Sequence, residues 1–338
     1  MIDLLVAGAG PAGAATAIRA ALAGLSVVVV EPRPAPIDKA CGEGIAHSAV
    51  EYLTRLGVKV SGRPFHGIRY LDAAHQVDAR FIAGPGLGVR RTTLQAALAD
   101  RLSEVGVEVV HARVGPITQN TTSVTAAGIT ARYLAAADGL HSPIRRQLAL
   151  GGPPSADVRR GLRQHFSVAP WSDLVEVYWS KLGEAYVTPV ADDLVGVAIL
   201  TSARGTFDSH LNAFPALKRR LCGAQPASTV MGAGPLRQRV RGRVAGRVLL
   251  VGDAAGYVDA LTGEGIAVAL RTSAELVDCV VADRPLDYEA AWRRVSWECR
   301  FLTGSLLWAR NRSLLAPRIV PAAALLPGVY AQIVNRLS

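Results

Sequence analysis

Gly8-Ala9-Gly10-Pro11-Ala12-Gly13 stands near the N-terminus, between a short apolar run at 3–6 and an alanine-rich stretch at 11–24. The first run reads as a strand and the second as a helix. A continuous β-branched run at 26–30 follows, the pattern of a strand buried on both faces of a parallel sheet. Strand, glycine turn, helix and strand make a βαβ unit. In such a unit Gly8 permits the tight turn, Gly10 lets the backbone approach a pyrophosphate, and Gly13 lets helix and strand pack closely. The free N–H groups and positive dipole end of the helix then meet the phosphates. The second strand ends at Glu31, where a carboxylate accepts hydrogen bonds from adenosine ribose hydroxyls. The unit predicts a dinucleotide site and does not by itself separate NAD from FAD.

Outward from this unit the pattern stays α/β as far as about residue 155. A Pro- and Gly-rich loop covers 31–45, helices are expected at 47–56 and 92–105, and 67–71 with 77–81 reads as a hairpin. Strands are expected at 107–111, 124 and 128–136. Between 161 and 201 four strand-like segments follow one another without long helices, which predicts an inserted antiparallel sheet. A buried parallel-type strand returns at 248–251, then a helix over about 263–281, then a helical tail from 287 to 338 rich in Trp and Leu.

The chain has 338 residues, half of them hydrophobic and 19% charged, enough for two domains with sizeable cores. No run of about 18 uncharged apolar residues predicts a membrane span. No basic segment precedes residues 4–7, so no signal peptide is expected. Cys41, Cys222, Cys279 and Cys299 are far apart and form no CxxC pair, which reads as a reduced, cytoplasmic protein without disulfides. The seven histidines are scattered without metal-ligand spacing, so no metal is expected. The net charge of +10 is spread along the chain, and no nucleic-acid module is present. Its one dense cluster, Arg237, Arg239, Arg241, Arg243 and Arg247, alternates as the solvated face of a strand would. Gly232-Ala233-Gly234-Pro235 lacks the third glycine of a second dinucleotide fingerprint.

Two later segments sharpen the reading. Ala137-Asp138-Gly139-Leu140-His141-Ser142-Pro143-Ile144-Arg145 resembles the "DG" motif of flavoprotein monooxygenases, and Leu249-Leu250-Val251-Gly252-Asp253-Ala254-Ala255-Gly256 resembles their "GD" motif. With the N-terminal fingerprint they make the chain similar to the p-hydroxybenzoate-hydroxylase-like FAD superfamily over residues 3 to about 280. That resemblance implies FAD as cofactor. It also implies a three-layer, Rossmann-type, glutathione-reductase-like domain built from 1–60, 88–155 and 230–285. An antiparallel-sheet substrate domain from 61–87 and 156–229 would cover it, and 286–338 would form the tail. It implies cofactor contact from Gly8, Gly10, Pro11, Ala12, Gly13, Glu31, Arg33, Val114, Asp138 and Gly252. Arg91 in Arg91-Thr92-Thr93-Leu94 would reach the phosphate and ribityl region, with Arg90 as the adjacent alternative. Asp253 would accept a ribityl hydroxyl, and the helix starting at Gly263, Gly265 and Ile266 would aim its N–H groups at the flavin N1/O2 edge.

Within that superfamily, Lys39-Ala40-Cys41-Gly42-Glu43-Gly44 and Leu261-Thr262-Gly263-Glu264-Gly265-Ile266 resemble the geranylgeranyl reductase family, in which such a Cys-Gly loop lies beside the flavin. Glu43 stands where many members carry glycine. Cys41 is then a redox or substrate-contact thiol, or only packs; Glu43 is a general base or orienter of a substrate hydroxyl, or a loop acid. The superfamily's habits imply NAD(P)H as a visiting electron donor and an apolar substrate. Two activities follow from the resemblance. The first is a monooxygenase that hydroxylates an aromatic or polyketide-like substrate through a flavin C4a-hydroperoxide. The second is a reductase of isoprenoid C=C bonds. The WxWxIP stretch usual in halogenases is absent; Trp292 and Trp297 form the nearest pair. The basic, apolar tail adds peripheral contact with anionic membrane as a third feature.

Overall fold

A computed structural model describes residues 1–155 and 158–337. Its central sheet is the expected parallel one. Strand Ile2–Ala7 lies between Val27–Val30 and Ile129–Ala136, with Glu108–Val110 and Val248–Leu250 outside them, all parallel. Leu4, Leu5, Val6 and Leu134 are fully buried at its centre, as strands covered on both faces must be. Helices Pro11–Leu22, Arg91–Glu104 and Gly265–Val281 pack on one another against this sheet. The chain is thus an α/β protein of the expected class, with the short antiparallel strands Thr118–Gln119 and Val124–Ala126 added beside Ile129–Ala136.

The second sheet is the cover. Arg160–Ser167, Leu194–Thr201, Gly183–Ala191 and Val175–Trp179 are antiparallel neighbours, as the sequence predicts. Two details differ. The hairpin Gly67–Leu71 with Gln76–Arg80 joins this sheet through a parallel pairing with Val175–Trp179, so the sheet is mixed. Met231–Ala233 pairs with Arg160–Ser167, so the cover extends past residue 229. Residues 63–65 and 86–88 do not join it. Residues 86–88 pair with 63–65 on one side and 44–45 on the other in a small third sheet, too short to carry a periodic signal.

Alternation assigns the two faces of the cover. Val195, Val197, Ile199 and Val187 pack beneath Phe207, Phe214 and Leu217. The opposite residues, among them Val175, Val177, Tyr186, Thr188 and Leu200, face the central sheet across a cavity.

The tail is helical, as expected: Asp287–Arg310, Ile319–Leu325 and Pro327–Leu337. It packs on Gly265–Val281 and returns to the cover, where the Tyr330 hydroxyl donates to Ile68 O (3.2 Å) and Asn335 Nδ2 to Arg80 O (2.9 Å). A buried ionic network pins it there. Arg159 bonds Asp259 (2.9 Å) and Glu184 (2.7 Å), and Glu184 also accepts from Arg310 at the end of the long tail helix.

The arginine cluster departs from its sequence reading. Residues 237–243 form no strand, only isolated bridges through Gln238 and Val240. Arg243 is buried, bonded to Glu289 (2.7 Å), with its guanidinium 3.8 Å from the Trp292 ring centroid. Alternation also occurs in an extended segment pinned between two loops, and here Arg243 goes inward while Arg239 and Arg241 stay exposed.

Candidate cofactor and substrate site

The glycine turn behaves as its spacing requires, and each glycine serves a different need. Gly8 has φ +103°, and a Cβ there would lie 2.6 Å from Ala137 O. A Cβ on Gly13 would lie 1.8 Å from Gly8 O, so only glycine lets this helix approach this strand. A Cβ on Gly10 would meet nothing nearer than Arg91 Nη2 at 3.9 Å. Gly10 therefore borders open space, and Pro11 and Ala12 line the same space at the helix start.

Around that opening stand charges that the protein leaves unmatched. Arg91 is the arginine on the cavity wall, and Arg90 is not; the Nε of Arg91 is buried without a partner. Lys39 lines the wall too, its pKa pushed down by burial and by Arg33 and Arg91. Asp253 faces the same cavity. Burial pushes its carboxyl up against the pull of Lys39, Arg91 and Arg145. Asp138 spends Oδ2 on Ile144 N (3.0 Å) while Oδ1 is buried and unpaired, and burial raises its pKa. Cations beside a helix N-terminus fit a pyrophosphate, and unpaired carboxylate oxygens beyond them fit a polyol chain. A dinucleotide carrying a ribityl linker matches both halves of this donor set.

The remaining expected residues sit as follows. Glu31 is buried at the end of its strand; Oε2 accepts from Ala9 N (3.1 Å) and Oε1 from Arg33 Nε (2.8 Å). It braces the glycine turn directly, and those bonds with Arg33 hold its carboxyl below its ordinary value despite burial. Val114 packs against the core and does not line the cavity. Gly252 approaches the first helix so closely that a Cβ would lie 2.6 Å from Ala12 Cβ. Gly263, Gly265 and Ile266 all line the cavity where the helix Gly265–Val281 begins.

The Cys-Gly loop corrects one expectation. Glu43 has φ +61°, which explains the glycine common in related loops: the position is left-handed. Its side chain offsets that cost. Oε1 accepts from Arg91 N (2.8 Å), Oε2 bonds His165 Nε2 (2.6 Å), and Arg163 Nε lies 3.8 Å away. Glu43 is 2% exposed, and both carboxylate oxygens are committed inside the protein. It is an anchor and not a free general base. His165, on the cavity side of its strand as its parity allowed, is consumed in the same network with Ser228 Oγ (2.9 Å). Cys41 does line the cavity. Its sulfur accepts from Glu43 N (3.4 Å), and burial pushes the thiol up, so it stays protonated at neutral pH.

Two hydroxyls of the cover hold the two loops over the cavity. Thr188 Oγ1 donates to Gly42 O (2.7 Å), and the Tyr186 hydroxyl to Leu261 O (2.6 Å). Sequence reasoning missed these, as it missed Lys39 and Arg145. Arg145 ties the DG and GD segments together, donating to Leu140 O (2.8 Å) and Ala254 O (3.0 Å). The Arg within the DG motif was the available signal. For Thr188 and Tyr186 there was none, since each bonds a loop far away in sequence.

The cavity encloses about 1080 Å³ and runs from Gly10 to the tail. Its far end is apolar: Phe65, Ile68, Tyr70 and Val177 from the sheets, Leu306 and Val329 from the tail.

Comparison with known proteins agrees with this geometry. Residues 1–189 match the family described as FAD binding domain. The chain is similar to the menaquinone reductase of Mycolicibacterium smegmatis, 27% identical over 86% of this chain and 79% of that one. It is also similar to digeranylgeranylglycerophospholipid reductase 2 of Methanosphaera stadtmanae, 28% identical over 80% and 75%. Among solved structures, the flavin-dependent halogenase CmlS superposes with a TM-score of 0.82 at 18% identity, over 91% of this chain and 64% of that one. At that identity the likeness speaks for the fold alone.

Proposed function

Starting from a chain that belongs to the FAD-binding domain family and is an FAD-dependent oxidoreductase, we propose that it saturates C=C bonds of an isoprenoid chain carried by a lipid. The observation that carries this reading is the long apolar end of the cavity, walled by the cover on one side and the tail on the other. The Gly10 end of the cavity is the part assigned to FAD, and the apolar end beyond it is what remains for a substrate. This cavity stays apolar into the tail, the shape of a flexible hydrocarbon chain and not of a single ring. The names of the sequence relatives, reductases of menaquinone and of a prenyl phospholipid, point the same way. The reading reverses the order of the two activities drawn from the sequence, in which oxygenation stood first.

FAD supplies two-electron hydride chemistry when bound. Lys39, Arg91 and the N-terminus of the first helix would hold its phosphates, and Asp253 and Asp138 its polyol chain. The start of the helix Gly265–Val281 would stabilise negative charge on the reduced ring. Tyr186 and Thr188 fix the loops at 261–264 and 39–44, and the apolar walls exclude water from the reacting carbons. Saturating a C=C bond needs one hydride and one proton. Cys41 holds its proton on Sγ beside this space, and we assign the proton to it, with solvent reprotonating the thiolate. NAD(P)H is the proposed reductant, visiting from solvent because no second fingerprint is present.

The same reading places the protein on a membrane surface. No single helix among the described residues is long and apolar enough to cross a bilayer. Trp297, Phe301, Trp308, Leu314 and Leu325 nevertheless point outward from the tail with exposures of 57–80%. A lipid substrate would reach the cavity from that side.

The test is mass spectrometry of a prenyl phospholipid, which has no quinone ring to take up hydrogen, incubated with the reduced holoprotein. The expected product has gained two hydrogens, and Cys41→Ala slows its formation without lowering bound flavin. A product that has gained one oxygen atom, formed only in air, overturns the reading in favour of the monooxygenase.

A further inference from the structure

A second cavity, of about 380 Å³, lies behind Tyr257, which borders both cavities. Arg237, Arg239, Arg241 and Arg243 line it from one side and Arg300 of the long tail helix from the other. The backbone of the arginine segment is fixed. Gln238 exchanges hydrogen bonds with Tyr257 (2.8 and 3.1 Å), Arg239 O accepts from Gly152 N (2.8 Å), and Arg241 N donates to Leu150 O (2.8 Å). The four arginines of the segment border the cavity together with Gln238 and Val240 between them.

Of the five guanidinium groups only Arg243 has a carboxylate partner among the described residues, Glu289 at 2.7 Å. Five cations against one carboxylate leave about four positive charges around one small space. Arg300 registers the crowding: burial and then Arg243 and Arg293 hold its pKa below the ordinary value. Arg243 and Arg300 both sit over the Trp292 ring, at 3.8 and 4.8 Å from its centroid. The protein pins like charges together here at an electrostatic cost that an anion would offset.

We propose that this cavity binds the phosphate groups of a ligand, a diphosphate or phosphate ester, at a site separate from the one for FAD. Guanidinium pairs grip phosphate oxygens bidentately, and a partly enclosed site strengthens the bond. Two sources share this chemistry, the diphosphate of a nicotinamide donor and the head group of an anionic lipid. The site stands whether or not the reductase reading holds.

The holoprotein, its FAD site filled, is titrated calorimetrically with inorganic pyrophosphate while Trp292 fluorescence is followed. Binding is expected, with a change in emission. In the double variant Arg239→Ser with Arg241→Ser affinity falls by at least about tenfold, since two guanidinium groups and their charge-assisted hydrogen bonds to the phosphate are lost. Both side chains are exposed, and unchanged flavin absorbance shows that the variant is folded. Competition then separates the sources: displacement by NADPH identifies the donor, displacement by phosphatidylglycerol vesicles but not phosphatidylcholine ones identifies the lipid. Equal affinity in wild type and double variant, no binding at all, or displacement by neither competitor overturns the proposal.

Discussion

The two ends of the main cavity are built by opposite means. At the Gly10 end, six consecutive residues and their flanking strands create the turn on which the site is built, and Gly8 and Gly13 each have a local steric reason while Gly10 opens onto the cavity. At the far end no short segment suffices: the wall is drawn from the hairpin at 67–80, the cover strands and the tail, held by bonds such as Tyr186 to Leu261 O. A cofactor shared by many proteins is met by short-range backbone geometry. A substrate is met by side chains that long-range packing assembles, and those are free to differ without disturbing the turn.

The sharpest way to break that comparison lies within the turn itself. Gly13→Val places a Cβ 1.8 Å from Gly8 O, a clash of backbone with backbone that no rotamer relieves. No folded holoprotein is expected, read as loss of soluble yield and of a cooperative melting transition. Gly10→Glu, three residues away, puts its side chain into open space and a negative charge where phosphates bind. That variant melts cooperatively near the wild-type temperature but carries little flavin. If both variants unfold, or both keep flavin, the division of labour among the glycines is wrong.

The next effect concerns the far end. Glu184 is fully buried and bonded to both Arg159 and Arg310. Removing one partner of a buried ionic network costs about 3–5 kcal/mol, because the remaining charge stays desolvated. Glu184→Ala is expected to lower stability by that amount in denaturant titration and to loosen the tail first, seen as faster amide exchange in 300–337. Uniform loss of protection across the chain would contradict the idea that this network joins tail to cover.

Glu264 gives a pH test at the meeting point of the two ends. Its carboxylate oxygens are buried without hydrogen-bond partners, and burial pushes its pKa up from 4.5 to about 7. Between those values the folded protein holds a proton that the unfolded chain releases. Stability therefore falls as pH rises from about 4.5 to about 7 and levels off above. Glu264→Gln removes that fall, so relative to pH 5 the variant should gain about 2–3 kcal/mol over wild type at pH 8. Parallel stability curves for the two proteins would show that Glu264 is ionised in the fold.

The same contrast explains what the sequence made legible. The central sheet, its glycine turn, the DG and GD segments and the order of cover strands all carry short-range signals, period-two alternation or fixed offsets, and the structure places them as read. The parallel pairing of Gly67–Leu71 with Val175–Trp179 joins segments about a hundred positions apart in sequence and leaves no local trace. Glu43 was misread for a related reason. An acid in a glycine loop looks available for chemistry until His165 and the Arg91 amide, supplied by distant elements, take both its oxygens. The arginine alternation was real but its environment was not encoded in it, and Arg243 went inward to Trp292 and Glu289.

The smallest effect on folding is expected at the outer surface of the far end, and it separates stability from function most cleanly. Trp297 and Trp308 are 61% and 57% exposed on the long tail helix. Exposed side chains of this kind contribute within about 0.5 kcal/mol to stability, so Trp297→Ser with Trp308→Ser should melt as wild type does. Burial of a large apolar side chain in a bilayer interface contributes about 1.5–3 kcal/mol. Partition onto phosphatidylglycerol vesicles should therefore weaken by at least about tenfold. Turnover of a short, water-soluble prenyl substrate should be unchanged, while turnover of a vesicle-borne one should fall with the partition. A double variant that binds vesicles normally would separate the apolar end of the cavity from any membrane. The exposed tryptophans would then have to be explained by a protein partner.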